Sequence, residues 1–129
     1  MTEFQYRLDQ NCRLIDPIVG DAEIRSIQFE SLNMRLQIVQ PFDGTQIELL
    51  LGGFVFLFFH TDHPQNVIER IFVYSSWESA RFPSEIKPDD DLEKKFTLWG
   101  KYIVVIESIA GGPLVCGARD LSMRVETTG

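Results

Sequence analysis

The chain is short of nearly everything that marks a catalytic or metal site. Its 129 residues include only two histidines, His60 and His63, and two cysteines, Cys12 and Cys116. Nucleophilic hydrolysis needs a Ser or Cys beside a histidine base and an orienting acid. No Gly-x-Ser-x-Gly elbow occurs, and Cys116 sits in Leu114-Val115-Cys116-Gly117-Ala118, which reads as packed strand. Glycines pair only at Gly52-Gly53 and Gly111-Gly112, and with no Gly-Lys-Ser/Thr loop or dinucleotide fingerprint, phosphate-cradling motifs are missing as well. Acidic residues are numerous, which leaves carboxylate-pair chemistry open, but no pair stands out. A non-enzymatic chain without a cofactor is the expectation.

Metal ligation fares little better. His60, Asp62 and His63 form a His-x-Asp-His cluster, yet a zinc site needs three or four ligands. Neighbouring ligands on extended backbone point in opposing directions, so a polar turn is the simpler reading. The two cysteines are far apart and define neither a disulfide framework nor a metal knuckle. Two reduced, mostly buried thiols are expected, with a single long-range disulfide as the alternative.

Long apolar runs are missing too. The longest, Phe54 to Phe59, is far below the ~20 residues that span a bilayer as a helix. The N-terminus, Met1-Thr2-Glu3-Phe4-Gln5-Tyr6-Arg7, has neither the basic start nor the apolar stretch of a signal peptide, which makes the cytoplasm the expected compartment. Cations are outnumbered: 12 Lys and Arg against 19 Asp and Glu give a net charge of −7. That balance opposes binding to nucleic acid or an anionic membrane, which are themselves negative.

What is present is strand. The apolar share is 44%, near the globular average, and residues 1–129 fit the size of a single domain. Ile27 and Phe29 share one parity; Met34, Leu36 and Ile38 alternate with Arg35, Gln37 and Val39; Thr45, Ile47, Leu49 and Leu51 alternate again. Turns are expected at Glu30-Ser31-Leu32-Asn33 and at Pro41-Phe42-Asp43-Gly44, where Asp-Gly supplies positive φ. Gly52-Gly53 predicts a bulge or bend, and the apolar run after it predicts a strand that is central or covered. Asn66 to Tyr74 reads as the next strand, with Val67, Ile71 and Val73 on one parity.

Phe96, Leu98, Tyr102, Val104 and Ile106 also share a parity, as one bent strand or two joined at Gly100-Lys101. The last strand runs to about Glu126, with Leu121, Met123 and Val125 inward. At the start of the chain, Phe4, Leu8, Cys12 and Ile15 fall on one arc at about 100° per residue, predicting an amphipathic helix that Asp16-Pro17 stops. The predicted fold is mainly β: an antiparallel meander forming a sheet or two-layer sandwich of about seven or eight strands, with that N-terminal helix packed on it.

Function is sought where periodicity fails. Trp77 to Glu93 is the longest such stretch and holds Pro83, Pro88 and the triplet Asp89-Asp90-Asp91. The triplet lacks the alternate spacing and glycine of a calcium loop, so its functional reading is electrostatic, steering a basic partner. Trp77 and Glu78 supply a candidate aromatic anchor and a charged rim. Ten phenylalanines keep a second option in view, an apolar cavity for a small ligand. An enzyme of unrecognised type is a third, and the Phe54 to Phe59 face is open to cover by the chain's own helix or by a second subunit in a homodimer.

Three segments carry a family likeness: Asp21-Ala22-Glu23-Ile24, Pro64-Gln65-Asn66-Val67-Ile68, and Gly112-Pro113-Leu114-Val115-Cys116-Gly117-Ala118-Arg119-Asp120-Leu121. Together they resemble small β-rich bacterial proteins of unknown function, some thought to act as immunity proteins to secreted toxins. The resemblance implies a binding module that occludes a basic partner, and it brings no functional residues with it.

Overall fold

The computed structural model describes residues 2–59 and 66–126. His60, Asp62, His63 and the segment Pro64-Gln65 lie outside the described residues. In chain order the elements are β1 (Thr2–Phe4), β2 (Arg7–Leu8), β3 (Leu14–Asp16), β4 (Glu23–Glu30), β5 (Asn33–Val39), β6 (Gln46–Phe59), β7 (Val67–Tyr74), α1 (Asp90–Trp99), β8 (Tyr102–Ala110) and β9 (Leu114–Glu126). The mainly β, antiparallel character read from the sequence is what the chain adopts.

Seven strands form one sheet in the order β1-β9-β6-β5-β4-β7-β8, and β2 and β3 form a separate pair. The large sheet curls until β8 meets β9, with Tyr102 opposite Ala118 and Ile106 opposite Leu114. Six strands therefore make a closed ring, and β1 lies along the far end of β9, Phe4 opposite Met123. The seam between β4 and β7 is narrow. Glu23 faces Val67 there, and backbone bonds join Ile68 N to Ala22 O (2.8 Å) and Ile24 N to Asn66 O (3.0 Å).

The predicted N-terminal helix is not formed; β1 to β3 occupy its place. The reason is local. Asp9 Oδ1 accepts from the backbone N–H of Asn11 (2.8 Å) and Arg13 (3.0 Å), giving the chain an alternative to helical bonding. Cys12 takes a positive φ of 67°, outside helical geometry. The turned chain then adds to β7, with Val73 N donating to Cys12 O at 2.9 Å. The helical face is replaced by a period of two, Tyr6 and Leu8 packing against the interior.

The two predicted turns are present. Ser31 takes the positive φ (56°) required in its two-residue connection, and Gly44 takes φ 76° in the other. The ring interior is filled by fully buried Met34, Leu36, Ile38, Leu49, Ile68, Ile71, Ile106, Leu114 and Met123 among others. On β7 the inward set is Ile68, Ile71 and Val73; a register shift around Ile68 displaces Val67 from the parity expected of it.

A second apolar cluster lies on the outside of the ring. Phe56, Ile103, Val105 and Val115 face away from the interior and pack with Tyr74 and Phe96. Trp77, Ala80, Phe82, Ile86 and Leu92, from the connection after β7 and from α1, close over them. The middle of the apolar run of β6, at Phe56, is thus covered by the protein's own chain, while Phe59 at its end is exposed. The parity read through Phe96 and Leu98 is corrected here: both are helical, on α1, and a strand begins only at Tyr102.

Candidate functional site

The face change occurs in mid-strand. Leu51 and Leu121 pair and point inward, as do Phe54 and Ala118 three residues along each strand. Between them Gly52 faces Asp120, Gly53 has φ +58°, and a bulge follows between Phe54 and Phe56. A Cβ at Gly53 would meet Arg119 Cβ at 3.2 Å, so glycine serves both the backbone conformation and the close passage of Arg119. The bulge is held by Phe54 N donating to Leu32 O (3.0 Å), which ties the β4–β5 turn to β6.

A groove of about 370 Å³ opens at this point, lined by Leu32, Phe54, Val55, Lys95, Trp99 and Arg119, with Gly53 at its base. Helix α1 supplies its far wall. Asp89 caps the helix, its Oδ1 accepting from Leu92 N at 2.8 Å, and Gly100 N closes the other end on Phe96 O at 2.8 Å. Burial of Phe96, with Leu92 one turn earlier, fixes the rotation of the helix. Lys95 and Trp99, spaced i and i+4, then form the adjacent stripe that borders the groove.

The lining is apolar and open to solvent. Leu32 is 63% exposed and Trp99 65%, and Phe29 (55%) continues the patch through an edge contact with Phe54 at 5.9 Å. Two cations sit at the rim. Among the described residues Lys95 and Arg119 make no ion pair, a condition they share with Arg13, Arg81, Lys87, Lys94 and Lys101; what sets them apart is their place on one groove.

The residues singled out in the sequence are distributed differently. Trp77 is half-buried, its ring 5.1 Å from Phe82, 5.9 Å from Phe96 and 6.3 Å from Phe56, so it packs the outer cluster. Glu78 beside it is exposed. Asp89 caps α1, and Asp90 and Asp91 are exposed in its first turn, where carboxylates favour the helix dipole. Their clustering has a structural cause in helix initiation. The sequence pattern does not single out Leu32, Lys95, Trp99 or Arg119 as site residues; helical spacing of Leu92, Phe96 and Trp99 is the signal that would place Lys95 and Trp99 on one helix.

The thiols occupy different layers. Cys116 is buried in the interior cluster, and burial pushes its thiol up to about 12. Cys12 is half-buried near Phe72 and Tyr74, in a second groove of about 470 Å³ that also includes Arg81 and Glu107. Burial raises the Tyr74 hydroxyl above its ordinary value. No group of three or more His, Cys, Asp or Glu side chains able to hold a metal ion occurs among the described residues, and no described helix is long and apolar enough to cross a membrane.

Comparison with protein-family models, with curated proteins and with solved structures gives no match.

Proposed function

We propose that this chain is a non-enzymatic protein-binding module whose working surface is the groove between α1 and the β4–β5 turn. The observation that carries the reading is the grouping of Phe29, Leu32 and Trp99, all more than half exposed, around one concavity. Exposed apolar residues scattered singly are ordinary; gathered in one patch they mark an interaction site. Trp99 takes the anchor role first sought at Trp77, because tryptophan at the centre of a concave patch supplies large contact area with few rotamers to freeze. The filled interior supports this over the ligand-cavity alternative.

The immunity-type form of the reading, occlusion of a secreted toxin, draws support from the three-segment resemblance and from the net charge of −7. Exposed Glu78, Asp90 and Asp91 would steer a basic partner toward the molecule. Co-expression with the product of the adjacent gene in the native host, followed by size-exclusion chromatography, tests it. A stoichiometric complex that Trp99→Ala weakens is expected. Two separate peaks at micromolar concentration would remove the immunity form, and a complex indifferent to Trp99→Ala would remove the groove.

A further inference from the structure

We infer that the groove takes a short acidic segment of its partner, in which one or two large apolar side chains are flanked by Asp or Glu. The inference rests on the binding-module reading and names the chemistry of what enters the site. Three observations support it.

Leu32, Phe54, Val55 and the Trp99 ring make the groove lining mostly apolar. Such a surface selects apolar side chains. The rim carries Lys95 from α1 and Arg119 from β9, two cations on different elements converging on one concavity. Both lack an ion-pair partner among the described residues, in a chain where acidic residues outnumber basic ones by 19 to 12. Two cations converging on an apolar groove whose lining holds no carboxylate complement an acidic ligand.

The overall negative charge does not oppose this at contact range. Salt screens exposed charges beyond about 8 Å at physiological ionic strength, so the distant carboxylates that set the net charge act weakly at the groove. The same screening sets a kinetic signature. The rim charges act at contact range and so chiefly on dissociation, while Glu78, Asp90 and Asp91 act on the approach of a partner that is basic outside this segment. An acyl chain is a poorer fit, because the exposure of Leu32 and Trp99 shows the groove to be shallow. A shallow groove covers side chains of a docked backbone but leaves most of a lipid tail in water.

The test is selection of a phage-displayed random 12-residue peptide library on the folded chain, followed by anisotropy titration of the enriched peptides. Enrichment of sequences pairing Leu, Phe or Trp with Asp or Glu is expected. Their affinity should fall ~30-fold in Trp99→Ala, the loss typical of an interface anchor. The double charge reversal Lys95→Glu/Arg119→Glu should weaken binding at least ~10-fold, and the neutral pair Lys95→Gln/Arg119→Gln by less. All three positions are on the surface, so circular dichroism and melting temperature should stay near wild type and separate lost binding from lost fold.

Enriched peptides that are basic, or that bind the reversed variant equally well, would overturn the acidic-ligand inference while leaving a binding module standing. Tighter binding of laurate than of any selected peptide would overturn it in favour of a lipid. No enriched peptide, together with no complex in the co-expression experiment, would take down both readings.

Discussion

The ring has two walls built on different rules. In the first, formed by β5, the start of β6 and the end of β9, apolar and polar residues alternate. Leu36, Ile38, Leu49 and Met123 face in, while Arg35, Gln37 and Arg124 face out. The outer surface there is a lattice of polar contacts: Glu48 lies 3.5 Å from Arg35 and 3.9 Å from Arg124, whose side chains leave it only 8% exposed. In the second wall, formed by the end of β6, the start of β9, β8 and β7, both faces are apolar. A strand of the second kind is stable only beneath a cover, and the connection from Trp77 through α1 provides it. The two rules meet within single strands, at Gly52-Gly53 and Arg119-Asp120, and the candidate groove opens where they meet.

If the cover is what permits the second wall, removing its central contact should have the largest effect. Phe96→Ala is expected to destabilise the chain by about 3–5 kcal/mol, the range for a buried phenylalanine. Denaturant unfolding measures the loss, and anilinonaphthalene sulfonate fluorescence should rise as Phe56 and Val115 are uncovered. A cost below ~1 kcal/mol would mean that the cover and the ring do not fold as one unit.

A glycine comparison sharpens the same contrast. A Cβ at Gly117, in the covered wall, would sit 2.3 Å from Phe56 Cε1; one at Gly52, in the open wall, would meet Asp120 Cβ at 3.3 Å. Gly117→Ala should therefore cost about 1–3 kcal/mol through overpacking, and Gly52→Ala well under 1 kcal/mol. Equal midpoints in urea for the two variants would erase the distinction between a wall packed on both sides and one that is not.

The smallest expected effect concerns Cys116, which faces the interior beneath the covered wall. Its thiol is raised from 9.0 to about 12 by burial. A raised folded-state value means that the neutral form is favoured on folding. The contribution is complete below pH 9.0 and is lost as the pH rises toward 12. Thermal melting should accordingly fall across that window, less steeply in Cys116→Ala, while Tyr6 and Tyr74, also raised by burial, keep part of the slope. Below pH 9.0 an alkylating reagent should reach Cys12 in the folded chain and Cys116 only after unfolding. Rapid native labelling of both would show the covered wall to be open.

Much of this contrast can be read in the residues themselves. Met34-Arg35-Leu36-Gln37-Ile38 announces a strand with one wet face, and Phe54-Val55-Phe56-Leu57-Phe58-Phe59 announces one with none. The source of the cover was not legible, because α1 was hidden. Phe96 and Leu98 differ by two, which mimics a strand, and the helical set Leu92, Phe96 and Trp99 straddles the supposed boundary at Glu93. At the N-terminus the error ran the other way: Phe4, Leu8 and Cys12 have helical spacing, but Asp9 turns the chain by bonding to its own backbone. Of the candidate surface, the exposed carboxylates Glu78, Asp90 and Asp91 were visible in the sequence. Leu32, Lys95 and Arg119 were not, since they come together from three separated segments.

The sequence by itself determined that the chain is β-rich, that its turns fall at Ser31-Leu32 and Asp43-Gly44, and that the run from Phe54 to Phe59 is apolar on both parities. These properties follow from side-chain alternation and local backbone preference, which act over a few residues. Only the tertiary structure decided that the sheet closes by pairing β8 with β9, that α1 and the Trp77 connection cover it, and that two unpaired cations border an apolar groove. Those outcomes depend on contacts between residues distant in the chain. Their energies are set by which faces remain unburied once the strands have paired, and no local pattern encodes that.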